Sequence, residues 1–62
     1  MIVKVSHCYN GNNNHTFQLE LPNGLRLVIR ATEDTWCRAD AIRAKDLIVA
    51  ETGIDRRKIR FQ

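Results

Sequence analysis

Long apolar runs are missing from this 62-residue chain. No stretch approaches the roughly 20 residues that carry a helix across a bilayer, so no membrane partner is expected. Met1 leads straight into MIVKVSHCY, without the charged and apolar leader of an exported protein, and a complete cytoplasmic product is expected. Cysteine is scarce as well. Cys8 and Cys37 lie in no C-x-x-C arrangement, too few and too far apart for a disulfide scaffold, and are expected as reduced thiols. The three glycines, Gly11, Gly24 and Gly53, are isolated, which excludes a glycine-rich phosphate loop. Size sets a further limit. The chain forms one domain, residues 1–62, with little interior to spare for a deep substrate pocket.

Catalytic and metal-binding constellations are equally sparse. Of the seven carboxylates, Glu33, Asp34, Asp40, Asp46 and Glu51 fall on or just before a predicted helix, where solvated charge is expected. Asp46 and Arg43, three residues apart, are spaced to support each other there. The metal-ligand types are His7, Cys8, His15 and Cys37. Zinc needs three or four such groups converging on one point. His7 and Cys8 are neighbours on a predicted strand and point to opposite faces, which argues against joint ligation and against a Cys–His nucleophilic pair. No metal, no cofactor and no enzymatic activity are expected.

What the chain does have is a hairpin. In TFQLELPNGLRLVIRA, two alternating runs flank Pro22-Asn23-Gly24, a strong short-range signal for two antiparallel strands. With Leu21 facing Leu25 across the turn, Leu19 meets Leu27 and Phe17 meets Ile29 on one side. Glu20 then meets Arg26, Gln18 meets Val28 and Thr16 meets Arg30 on the other. A slip of one residue would destroy both the apolar face and the charge match. Met1 to Tyr9 reads as a preceding strand rich in β-branched residues, with Val3, Val5, His7 and Tyr9 as its core face. Asn10 to Asn14 reads as a turn.

From Ala31 onward the period changes. Trp36 to Thr52 predicts one helix, capped by Asp34 or Thr35 and closed by Gly53, with Ile54 making the hydrophobic contact beyond the cap. Cys37, Ala41, Ala44 and Ile48 form its core stripe, flanked by Trp36 and Leu47, and the alanines allow close approach to the sheet. Ile42 and Val49 form a second stripe, which either widens the core face or meets another chain. Ile59 and Phe61 alternate with Lys58 and Arg60 in a short final strand. A strand reached through a helix should run parallel to its neighbour, which the sequence leaves open between the first strand, preferred here, and the third. The expected fold is α+β: a three-stranded antiparallel meander, one helix packed on it, and a short C-terminal strand (β-β-β-α-β).

This layout resembles ubiquitin-like β-grasp domains in its arrangement, with an additional leading strand and without the later strands of that family. Three strands followed by ADAIRAKDLIVAETG as a backing helix, about two-thirds of the chain, is also similar to plant-type AP2 domains and to the arm-binding domains of phage integrases. That resemblance implies a sheet laid into the major groove, reading bases from its outward face. The tryptophan-and-glycine strand motifs of AP2 domains are absent here, and no residue role is carried over.

Charge points the same way. Ten basic residues face seven acidic ones, for a net charge of +3. Lys4, Arg26 and Arg30 are expected on the outward sheet face, and Arg56, Arg57, Lys58 and Arg60 add a basic C-terminal cluster. Arginine forks suit phosphates and guanine edges. These seven residues are the expected nucleic-acid contacts of a small non-enzymatic binding domain. The alternative is a protein-binding adaptor or inhibitor of the kind phages encode. It would act through a sheet edge or the Ile42/Val49 stripe, on a partner protein or a second copy.

Overall fold

The computed structural model describes residues 1–9, 11, 14–31 and 35–62. Strand β1 (Ile2–Tyr9), β2 (His15–Glu20) and β3 (Arg26–Arg30) form an antiparallel meander. Helix α1 (Arg38–Thr52) follows, then one 3₁₀ turn (Arg56–Lys58) and the short strand β4 (Arg60–Phe61). The sheet order is β3-β2-β1-β4, with β4 parallel to β1, as expected for a strand delivered by a helical crossover. The amides of Arg60 and Gln62 donate to the carbonyls of Met1 and Val3, both at 2.9 Å, and fix that pairing.

The hairpin has the expected register throughout, from Glu20 opposite Arg26 to Thr16 opposite Arg30. At the turn, Leu21 N–H donates to the Leu25 carbonyl at 2.9 Å and Gly24 N–H to the Leu21 carbonyl at 3.0 Å. Asn23 Oδ1 accepts from Leu25 N–H, while Gly24 takes φ +90°, the left-handed region that side chains disfavour.

Side-chain alternation then sorts the sheet into two faces. Val3, Phe17, Leu19, Leu21 and Ile29 are buried beneath the helix together with Ala44, Ile48 and Ile59. Trp36 seals Phe17 edge-on, with ring centroids 5.0 Å apart. Each fully buried aliphatic side chain contributes about 1.5–3 kcal/mol, so these few residues carry most of what holds a domain of this size together. The helix is tied to β3 through Arg43 and the Arg30 carbonyl, and the crossover delivers β4 beside the start of β1. Toward its C-terminal end β1 becomes more exposed. Val3 is buried and Val5 half-buried, but His7 and Tyr9, expected on the core face, are exposed.

The helix begins later than its periodicity suggests. Cys37 is the N-cap, with extended backbone at φ −129°, and not Asp34 or Thr35. Asp40, three residues on, reaches back: its Oδ2 accepts from Cys37 N–H and from Cys37 Sγ–H, both at 3.2 Å. This carboxylate, expected in solvent, is completely buried and ion-paired with Arg43. Arg43 also donates to the Arg30 carbonyl at 2.7 Å, tying the helix to β3. At the other end Gly53 adopts φ +73° and donates to the Val49 carbonyl at 2.8 Å, and Ile54 packs on the core, as expected of this cap. The expected turn positions Asn10, Asn12 and Asn13, and the cap candidate Asp34, lie outside the described residues.

Candidate nucleic-acid interface

One face of the sheet carries the helix; on the other, no described element covers the strands. Alternation from Val3, Leu19 and Ile29 inward puts Lys4, Ser6 and Cys8 of β1 outward. Thr16, Gln18 and Glu20 of β2 and Arg26, Val28 and Arg30 of β3 join them. Arg60 of β4 lies beside Ile2 at the same surface. The register aligns these residues in rows: Lys4–Glu20–Arg26, then Ser6–Gln18–Val28, then Cys8–Thr16–Arg30. Four strands at about 4.8 Å spacing make a surface about 14 Å across.

Charge on this surface is one-sided. Lys4, Arg26, Arg30 and Arg60 are all exposed there, against the single carboxylate of Glu20 among the described residues. The remaining six basic residues of the chain are matched by its remaining six acidic ones. Among the described residues, the open sheet face therefore carries a net charge of +3. Polar side chains that can donate or accept, Ser6, Thr16 and Gln18, fill the middle. Val28, 61% exposed, and Ile2, 57% exposed, add apolar contact area. A hollow of about 430 Å³ indents the surface between Ile2, Lys4, Glu20 and the hairpin turn at Pro22 and Gly24.

The C-terminal basic residues divide into two groups. Arg60 joins the sheet face, but Arg56 reaches the helix and pairs with Asp46 at 3.0 Å. That pairing replaces the expected one of Asp46 with Arg43, which is engaged by Asp40. Arg57 holds Asp55 through its Nη2 at 2.9 Å and donates its backbone N–H to Oδ1 at 3.0 Å. The side-chain bond, and after it the backbone bond, hold the Asp55 carboxyl below its ordinary range; the same ion pair raises the Arg57 guanidinium. Lys58 is exposed on the same turn.

The second helix stripe also divides. Ile42 is 46% exposed, whereas Val49 packs against the protein's own core. On the helix side of the sheet, an open apolar cleft of about 450 Å³ runs past Val5, Phe17, Trp36 and Phe61 to His7. His7 Nε2 and His15 Nδ1 meet there at 2.9 Å, a juxtaposition that sequence spacing did not reveal because it depends on the β1–β2 register. Among the described residues no group of three or more His, Cys, Asp or Glu converges as a metal site would, and no helix is long and apolar enough to cross a membrane. No protein-family model, curated protein or solved structure matches the chain.

Proposed function

We propose that this chain is a non-enzymatic binding domain that contacts nucleic acid through its open sheet face, with Lys4, Arg26, Arg30 and Arg60 as the principal contacts. One observation carries the reading: among the described residues, that face carries four exposed basic side chains against one carboxylate. Positive charge gathered on one flat surface attracts a polyanion and orients it, whereas the same charge scattered would do neither. A width of about 14 Å is comparable with the roughly 12 Å major groove, and arginine forks at its edges suit phosphates or guanine. Arg56 and Arg57, already paired with Asp46 and Asp55, are secondary in this reading. Lys58 supplements the field nearby.

Titration of labelled duplex and single-stranded DNA at two salt concentrations tests the proposal. Neutralising three phosphates implies a logarithmic salt slope of about −2.7, or about 40-fold weaker duplex binding on going from about 50 to about 200 mM salt. R26E/R30E should abolish binding, and R56Q/R57Q should change it less than about threefold. Absence of binding at low salt would remove the proposal. Protein association through the β3 edge or the exposed Ile42 is the competing reading. Capture of a partner that survives R26E/R30E but is lost with I42D would favour it.

A further inference from the structure

We propose that His7 and His15 form a two-histidine site for a late first-row divalent metal ion, copper(II) above nickel(II). In the β1–β2 pairing His7 sits opposite Phe17 and His15 opposite Tyr9, so the two imidazoles lie diagonally on the same face. Their planes are only 14° apart with centroids separated by 5.0 Å, so the rings meet nearly edge to edge, His7 Nε2 facing His15 Nδ1 at 2.9 Å. That contact is a single N–H···N hydrogen bond, one ring donating and the other accepting.

The same separation suits a metal. With metal–nitrogen bonds of about 2.0 Å, two ligands at right angles stand about 2.8 Å apart, and two tetrahedral ligands about 3.3 Å apart. The nitrogens therefore already sit at the spacing of adjacent ligands of a square or octahedral ion, the geometry copper(II) and nickel(II) prefer. Binding needs one tautomer change and a rotation of each ring by about 45°, from facing one another to facing a common point. His7 is exposed and His15 half-buried, so both can turn. Their aromatic neighbours, Tyr9 stacked on His15 and Phe17 tilted against His7, offer no competing positive charge. Water completes the coordination. Cys8 lies on the other face of the sheet, and Cys37 belongs to the helix cap, so neither thiol is part of the site.

Trp36, the single tryptophan, reports on the site because it packs on Phe17, which touches His7. Copper(II) should quench its fluorescence saturably with one ion per chain, nickel(II) should do so more weakly, and magnesium should have no effect. H7Q and H15Q should each weaken copper binding about 100-fold, because the second ligand then no longer acts intramolecularly. C8S/C37S should titrate like the native chain. Far-UV circular dichroism confirms that each variant folds. A native curve with no saturable quenching, equal curves for native, H7Q and H15Q, or loss of quenching in C8S/C37S would each overturn the assignment.

Discussion

Replacing Asp40 with alanine should destabilise the domain by about 3 kcal/mol, a magnitude built from two losses. The first is the reach-back bond to Cys37 N–H at 3.2 Å, which satisfies a helix N-terminal donor; capping groups of this kind are worth about 1 kcal/mol. The second is the charge-assisted bond with Arg43, worth about 1.5–3 kcal/mol. Breaking a fully buried ion pair costs about 3–5 kcal/mol, because the surviving charge is stranded. Here Arg43 is 45% exposed and keeps the Arg30 carbonyl, so the stranding is partial. Asparagine at position 40 keeps the shape and an acceptor for Cys37, and should cost about 1.5 kcal/mol. Total stability for a chain of this length is about 3–9 kcal/mol, so the alanine variant should lose a third of it or more. Urea unfolding followed by circular dichroism measures the difference, provided the denaturant slope is unchanged. A D40A variant within about 0.5 kcal/mol of native would refute the account of this carboxylate, since that is the range of a surface substitution.

Four further outcomes are expected. An added Cβ at Gly53 meets nothing within 4 Å, so G53A should cost only the left-handed backbone penalty, about 1 kcal/mol by thermal or urea unfolding. V49D should strongly destabilise the fold and I42D should leave it within about 0.5 kcal/mol of native, because only Val49 packs on the core. I48A, emptying a fully buried position, should cost about 2–5 kcal/mol by urea unfolding, a large share of the total. The Asp55 carboxyl, held low first by the Arg57 side chain and then by its amide, favours the folded state above the ordinary carboxylate range. That contribution should fade as pH falls through its folded value. In R57A the carboxyl should move part of the way back up, as a carbon-detected NMR titration would show, because the backbone donor remains.

The hairpin was legible residue by residue because a period of two, a turn that tolerates one left-handed position and a charge match all agreed on one register. The parallel fourth strand was legible too, since a helical crossover leaves little choice of direction. The helix start was not. Cysteine is a poor cap by type, and the stabilising group is the carboxylate three residues inside the helix, which composition assigns to solvent. Asp46 was misassigned for a similar reason. Spacing along a helix suggested Arg43, but tertiary structure brings Arg56 across to it. Burial of His7 and Tyr9 failed because alternation identifies a face and not how far along a strand the core extends. The outward position of Lys4, Arg26 and Arg30 could be read from alternation alone, whereas Arg60 joining them and the pairing of Arg56 and Arg57 required the chain to be folded.

The most direct measurement is the NMR response of the arginine side-chain Nε–H groups to added duplex DNA at low salt. The account predicts that the resonances of Arg26, Arg30 and Arg60 shift, together with the Gln18 side-chain amide between them, while those of Arg56 and Arg57 stay near their free positions. Shifts confined to Arg56 and Arg57, or none at saturating duplex, would contradict it.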